Sequence, residues 1–213
     1  MDAKTQEIFN AVLDGNAPAA QAAVKAALEE GLDPASLLNE GMIAAMREVG
    51  KRFEEGEYYV PEMLISARAM QSGLALLKPY LKNAGVKPAG KVAIGTVKGD
   101  LHDIGKNLVG MMLEGGGFEV IDLGTDVDPE KFVEVVTKER VQLVGLSALL
   151  TTTMSNMKTT IDALKAAGVR EQVKIIVGGA PVTEDFAVKI GADGFSSDAS
   201  RAVTVAKSLL EVG

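Results

Sequence analysis

The spacing of apolar residues changes near residue 83, and this change limits the folds open to the chain more than any other feature. Up to residue 82 the apolar residues recur at helical intervals. One such helical face consists of Leu37, Leu38, Met42, Met46, Val49 and Phe53. From residue 91 onward, short apolar runs alternate with helical segments of about ten to fifteen residues, as in βαβ units. The sequence therefore predicts two domains of different structural class.

Capping residues and breaks divide the first part into four helices. Asn16 is placed to cap the second helix, Asp33 precedes the proline that begins the third, and Pro61 begins the fourth. Four helices with short connections favour a small antiparallel four-helix bundle. We expect this bundle over residues 1–82, followed by a Gly- and Pro-containing linker over residues 83–90.

The second part, residues 91–213, carries apolar runs that are typical of buried strands. Four clear runs and a weaker fifth lie at Lys91–Val97, Glu119–Leu123, Leu143–Leu149, Lys174–Val177 and Gly194-Phe195. Strands that are apolar on both faces imply a parallel sheet with helices on each side. We therefore expect an α/β domain of the flavodoxin or Rossmann-like type, with a five-stranded parallel sheet and a last helix from about Ser200. Ligands of such sheets bind beyond the carboxyl ends of the strands.

The composition excludes several kinds of site and partner. The chain has no cysteine, which rules out disulfides, iron–sulfur clusters and thiol catalysis, and it has one histidine, which rules out an all-histidine metal site. A net charge of −7 without a basic cluster argues against a nucleic-acid partner. No apolar run is long enough to span a bilayer, and the N-terminus lacks a signal-peptide pattern. We expect a cytoplasmic protein with no membrane partner.

The single histidine lies in the loop that follows the first predicted strand. This loop reads Lys-Gly-Asp-Leu-His-Asp-Ile-Gly-Lys-Asn over residues 98–107. Asp100, two residues before His102, is placed to accept the imidazole N–H, as carboxylates commonly do behind a metal-ligating histidine. Gly105 removes a side chain where a flat, bulky group could approach the backbone. A lone loop histidine is more often an ordinary surface residue, so the loop by itself does not decide between these readings.

The loop resembles the corrinoid-binding signature of the cobalamin-dependent methyltransferases. Two further elements of that pattern follow in order, Ser-Ala-Leu at residues 147–149 and Gly-Gly at residues 178–179. The first part of the chain resembles the family's helical cap at residues 41–42 and 56–62. The whole chain is similar to the free-standing corrinoid proteins of methylotrophic and acetogenic systems, and to the cobalamin module of methionine synthase.

The resemblance implies a site for cobalamin or a related corrinoid, with His102 as the lower axial ligand of cobalt and the His102–Asp100 pair as its catalytic part. The cofactor's nucleotide tail would pass through a slot in the α/β domain and bind Ser147. Thr153 would extend the His–Asp hydrogen-bond chain. The implied cofactor contacts are Gly99, Asp100, Leu101, His102, Asp103, Ile104, Gly105, Ser147, Leu149, Thr151, Thr153, Gly178, Gly179 and Ala199, with Phe53 and Val60 of the cap over the cobalt's upper face. For Phe53 and Val60 the alternative is ordinary bundle core.

The implied function is that of a corrinoid carrier with no complete active site of its own. It would accept a methyl group on Co(I) through a substrate-specific methyltransferase and hold it as methylcobalamin during turnover. A second methyltransferase would pass it to tetrahydrofolate or coenzyme M, and a reductive activase would be a further partner. The methyl donor stays open among methanol, methylamines, glycine betaine and methoxylated aromatics. The alternatives are the cobalamin-binding subunit of a B12-dependent mutase, a B12-dependent sensor, and a flavodoxin-like domain without a corrinoid.

Overall fold

The computed structural model describes residues 1–212, which form two compact units. The first unit comprises Met1–Pro88 together with Glu114–Gly117. The second comprises Ala89–Leu113 and the described chain from Phe118 onward.

Four helical stretches make up most of the first unit, and their boundaries follow the predicted caps. Asn16 accepts a hydrogen bond from the Ala19 N–H, and Asp33 accepts one from the Ser36 N–H. The stretches are α1 (Ala3–Leu13), α2 (Ala17–Glu29), a third running from α3 (Pro34–Ser36) to α4 (Ala44–Glu54), and α5 (Val60–Asn83). The predicted helical N-terminal region is confirmed.

The third helical stretch differs from the uniform α-helix that the sequence predicted. Between α3 and α4 the segment Leu37–Ile43 winds as a π-helix. A π turn accommodates an additional residue, and here Leu37, Gly41 and Met42 are the buried residues of the segment. A Cβ atom at Gly41 would lie 3.1 Å from Cγ2 of Ile8, so the missing side chain permits the close approach of α1.

A five-stranded, all-parallel sheet forms the centre of the second unit, as predicted. Its strands are β1 (Lys91–Thr96), β2 (Glu119–Asp122), β3 (Leu143–Ser147), β4 (Lys174–Gly178) and β5 (Gly194–Ser196). The strand order is β2-β1-β3-β4-β5, so the order reverses between β1 and β3. In open parallel sheets the ligand crevice lies at this switch point, between the loops that follow the two strands.

Helices cover the sheet of the second unit on both faces. They are α6 (Ile104–Gly115), α7 (Pro129–Glu139), α8 (Ser155–Ala166), α9 (Glu184–Ile190) and α10 (Ala199–Leu210). Successive residues of β1 belong to different core clusters: Ala93 lies with Phe132 of α7, and Val92 lies with Leu113 of α6. Because β1 and β3 are buried on both faces, they give the loops at their carboxyl ends a rigid base. None of the helices within residues 1–212 combines the length and apolarity needed to cross a membrane.

Candidate functional site

Asp100 is the centre of the hydrogen-bond network at the switch point, and its side chain is fully buried. Oδ2 accepts hydrogen bonds from the Thr153 hydroxyl at 2.6 Å and from the N–H groups of Leu149 and Leu150 at 2.8 and 3.2 Å. Oδ1 accepts one from the His102 N–H at 3.1 Å and lies 2.7 Å from His102 Nδ1. The carboxylate thus ties the loop after β1 to the loop after β3.

The Asp100 carboxylate also determines which imidazole nitrogen is available to a ligand. Burial by itself raises the pKa of Asp100, but the hydrogen bonds from Thr153, His102 and the Leu149 N–H outweigh it and hold this pKa well below its ordinary value of 3.8. An ionised carboxylate can only accept hydrogen bonds, so Nδ1 of His102 carries the proton that faces it. A neutral imidazole then has its lone pair at Nε2. Within residues 1–212 this atom has no hydrogen-bond partner, and half of the His102 side chain is exposed.

Side chains from outside the loop also hold its backbone, and sequence reasoning missed them. The Thr96 hydroxyl donates to the carbonyl oxygen of His102 at 2.9 Å, and Asn156 Nδ2 donates to that of Lys98 at 2.7 Å. Asp126 also bonds the backbone of this loop. The position of Thr96 at the end of a predicted strand was the one available signal. Asn156 lies 58 residues from its partner, and no sequence pattern links the two.

The fold requires a glycine at some of the glycine positions of the site and not at others. Gly179 has a φ of +131°, and a Cβ atom there would lie 1.9 Å from the carbonyl oxygen of Ala148. A Cβ atom at Gly178 would lie 3.1 Å from the carbonyl oxygen of Ser196. The protein's own backbone therefore accounts for this glycine pair, without a ligand. At Gly105, by contrast, none of residues 1–212 beyond its own turn of helix comes within 4 Å of the position of a Cβ atom, so the fold does not require a glycine there.

The surroundings of His102 fit a large, flat group that brings its own metal. Leu101, Ile104 and Leu149 have exposed apolar side chains, at 73%, 78% and 43% of their full accessibility, and the space over Gly105 is open. No group of three or more His, Asp or Glu side chains within residues 1–212 could hold a bare metal ion. Nε2 of His102 could serve as one ligand of a metal that a bound group holds through its own atoms.

The structure brings Asp100, His102, Leu149 and Thr153 into one network, and the other predicted residues lie around it or apart from it. Ser147 ends β3 and is half-buried, Thr151 is exposed in the loop after β3, and Ala199 is the buried first residue of α10. Phe53, half-buried in α4, and Val60, exposed at the start of α5, belong to the first unit. The roles of all five toward a cofactor remain predictions.

Comparison with known proteins gives consistent matches to both parts of the chain. Residues 90–204 match a family described as "B12 binding domain", and residues 5–78 match a second family of the same description. The chain is 46% identical over 204 residues to the trimethylamine corrinoid protein of Methanosarcina barkeri, covering 95% of this chain and 94% of that protein. It is 43% identical over 206 residues to dimethylamine corrinoid protein 1 of Methanosarcina acetivorans, covering 96% of each. Among solved structures it is similar to a chain of the methanol:cobalamin methyltransferase complex MtaBC from Methanosarcina barkeri, with a TM-score of 0.87, 31% identity, and coverage of 99% of this chain and 80% of that one.

Proposed function

Because this chain belongs to the family of B12-binding corrinoid proteins of methyltransferase systems, we propose that it carries a methyl group from a methylated amine to a second methyltransferase. Its cofactor is a corrinoid. The observation that carries the proposal is the state of His102, whose Nδ1 is held by a buried, ionised carboxylate while Nε2 has no hydrogen-bond partner in the described part of the chain. This is the arrangement of an imidazole prepared to ligate a metal.

The corrinoid supplies the metal centre that takes up and releases the methyl group. His102 would bind that metal through Nε2, while Asp100 orients the ring and keeps the proton on Nδ1. A His102 imidazole that is not bound to a metal could hold a proton at Nε2, and the Asp100 carboxylate, 2.7 Å from Nδ1, would then offset the positive charge of the ring. Thr153 and the backbone N–H groups of Leu149 and Leu150 hold Asp100 in place while the charge of its partner changes.

The choice of a methylated amine as donor rests on the relatives. The two corrinoid proteins that are 46% and 43% identical are named for trimethylamine and dimethylamine, whereas the methanol complex is 31% identical. A donor-specific methyltransferase and a reductive activase would be the other partners. For the final acceptor we propose coenzyme M or tetrahydrofolate, and the experiment below separates the two.

We propose that Phe53 and Val60 contact the bound corrinoid and shield it from solvent. Both lie where α4 leads into α5. Apolar side chains are exposed there, Tyr59 at 66% and Val60 at 40% of full accessibility, which supports a surface that contacts another group. We expect Phe53→Ala with Val60→Ala to leave the helical unit folded and to speed the air oxidation of the reduced, bound corrinoid. An unchanged oxidation rate would contradict this role.

The full chain loaded with cobalamin tests the proposed function. After reduction with titanium(III) citrate, the loaded protein is mixed with an extract of its source cells and with trimethylamine, dimethylamine, monomethylamine or methanol. We expect the visible spectrum of the bound corrinoid to change with a methylamine and not with methanol. Coenzyme M and tetrahydrofolate are then added separately, and mass spectrometry identifies the methylated acceptor. The control is His102→Ala, and transfer at the wild-type rate by that variant would refute the role of His102.

A further inference from the structure

Asp126, in the connection between β2 and α7, is hydrogen-bonded to the backbone of two neighbouring residues of the His102 loop. Its Oδ1 accepts a hydrogen bond from the Gly99 N–H at 2.8 Å, and its own N–H donates to the carbonyl oxygen of Asp100 at 2.9 Å. Its φ is 53°, in the left-handed region, which few residues other than glycine enter and which asparagine and aspartate tolerate best. The two hydrogen bonds maintain this uncommon conformation.

Asn156 bonds the same stretch of backbone from a third element, α8. Its Nδ2 donates to the carbonyl oxygen of Lys98 at 2.7 Å. Backbone atoms of Lys98, Gly99 and Asp100, which belong to the two peptide groups 98–99 and 100–101, are therefore bonded to residues outside the loop. We refer to Asp126 and Asn156 as the backbone clamp.

We propose that the backbone clamp positions His102, by fixing the direction in which the loop presents the imidazole to the metal of the cofactor. This inference rests on the proposed role of His102 as a ligand. The hydrogen bond between Asp100 and His102 joins residues two positions apart, so it moves with the loop and cannot place the ring relative to the sheet. External anchors must do so. One anchor is the loop after β3, whose Thr153 hydroxyl and Leu149 and Leu150 N–H groups bond the Asp100 carboxylate. The clamp is a second anchor, and it acts on the backbone.

The ion pair of Lys98 is a separate interaction and provides a matched control. Lys98 Nζ lies 3.4 Å from a carboxylate oxygen of Asp126 and 3.1 Å from one of Asp128. All three side chains are well exposed, and exposed ion pairs contribute little to stability. Asp128→Asn removes a charge from this pair without touching a hydrogen bond of the clamp. Asp126→Asn keeps an acceptor for the Gly99 N–H and tolerates a positive φ.

The clamp is tested with the full chain labelled with nitrogen-15 histidine and loaded with cobalamin. The fraction of the Co(II) form that shows histidine nitrogen coupling is measured by EPR, and His102 is the only histidine that can produce it. Asp126→Gly relieves the backbone conformation, keeps the N–H and removes the carboxylate. We expect it to lower the ratio of bound to unbound imidazole about five- to tenfold, below the range typical of groups that contact a metal ligand directly. Asn156→Ala should lower the ratio in the same direction, and the double variant should lower it further.

A second measurement follows the clamp in the absence of cofactor. Hydrogen exchange of the Gly99 amide should be slow in the wild type, slow in Asp128→Asn and fast in Asp126→Gly. In the loaded protein, Asp126→Asn and Asp128→Asn should keep the ratio of bound to unbound imidazole within about twofold of the wild type, because an exposed ion pair has little effect. If Asp126→Gly does not fold, the bound-to-unbound ratio in Asn156→Ala tests the clamp instead.

The outcomes separate the clamp from the proposed function. A wild-type protein without histidine coupling would refute the role of His102, and the clamp proposal with it. Coupling in the wild type together with an unchanged ratio in Asp126→Gly and in Asn156→Ala would overturn the clamp alone. The clamp proposal would also be overturned if Asp128→Asn lowered the bound-to-unbound ratio as much as Asp126→Gly does. The effect would then belong to the ion pair.

Discussion

Replacing Asp100 by asparagine keeps the shape of the side chain and places an NH₂ group where one carboxylate oxygen now lies. If the nitrogen replaces Oδ2, it faces the N–H groups of Leu149 and Leu150, which then lose their acceptor inside the protein. The Thr153 hydroxyl can rotate and accept instead of donate. If the nitrogen replaces Oδ1, one backbone N–H, that of His102, loses its acceptor, and the imidazole can adapt by exchanging tautomers.

The cost of buried, unpartnered donors decides between the two orientations. Each costs about 1–3 kcal/mol, so the orientation that leaves one such donor is favoured over the one that leaves two by about that amount. The variant loses the hydrogen bond of one backbone donor, and its remaining hydrogen bonds go to an uncharged acceptor instead of a charged one. Together these losses should lower the free energy of unfolding of the cofactor-free protein by about 2–4 kcal/mol. In the favoured orientation the amide donates to Nδ1 of His102, so the ring proton moves to Nε2. The atom that would bind the metal is then blocked.

Two measurements on the cofactor-free protein test this reasoning. Nitrogen-15 NMR of the imidazole should show an Nδ1–H ring in the wild type and an Nε2–H ring in the variant, and the spectrum contains one imidazole because the chain has one histidine. Urea unfolding followed by circular dichroism measures the loss of stability. Asp103→Asn is the matched control, because Asp103 is an exposed carboxylate next to His102 whose contact is to Asn107. An Nδ1–H ring in Asp100→Asn, with a stability loss below about 0.5 kcal/mol, would refute the argument.

Further predictions concern single positions. His102→Ala should change the free energy of unfolding by less than about 1 kcal/mol, because half of the side chain is exposed, and should abolish histidine nitrogen coupling in the EPR spectrum of the loaded protein; persistent coupling would contradict this. Gly179→Ala should lower the free energy of unfolding, measured with urea, by more than about 4 kcal/mol, because Gly179 has a positive φ and its new Cβ atom would overlap the carbonyl oxygen of Ala148. Gly105→Ala should leave the cofactor-free protein as stable, or more stable by up to about 1 kcal/mol, and weaken cobalamin binding in a titration; equal affinity would argue against a ligand over this position. The hydrogen bond from the Gly99 N–H lowers the pKa of Asp126, so the stabilisation it provides is complete above the ordinary value of 3.8 and is lost as the pH falls through the lowered pKa; carbon-13 NMR of this carboxyl should show a midpoint below 3.8.

The sequence by itself was sufficient for the features that depend on neighbouring residues. The period of the apolar residues distinguished the helical part from the α/β part and located the five strands to within two residues at their ends, because burial imposes that period on each element separately. The contact between Asp100 and His102 could also be expected, because the two residues lie two positions apart in one loop and their side chains are close together. The π-helical turn at Leu37–Ile43 could not be predicted from the sequence, because its apolar residues also fit an α-helix.

Only the tertiary structure decided which distant groups complete the site. Apolar runs reveal strands but not their order, and the order β2-β1-β3 is what places the loops after β2 and β3 on either side of the His102 loop. Asp126 and Asn156 reach that loop across 27 and 58 residues of sequence, through contacts to backbone atoms that every residue type presents equally. The requirement for glycine at Gly179 likewise arises from a carbonyl oxygen of a neighbouring strand's loop. Contacts of this kind leave no periodic or compositional trace, because they depend on where the folded backbone passes and not on which side chain it carries there.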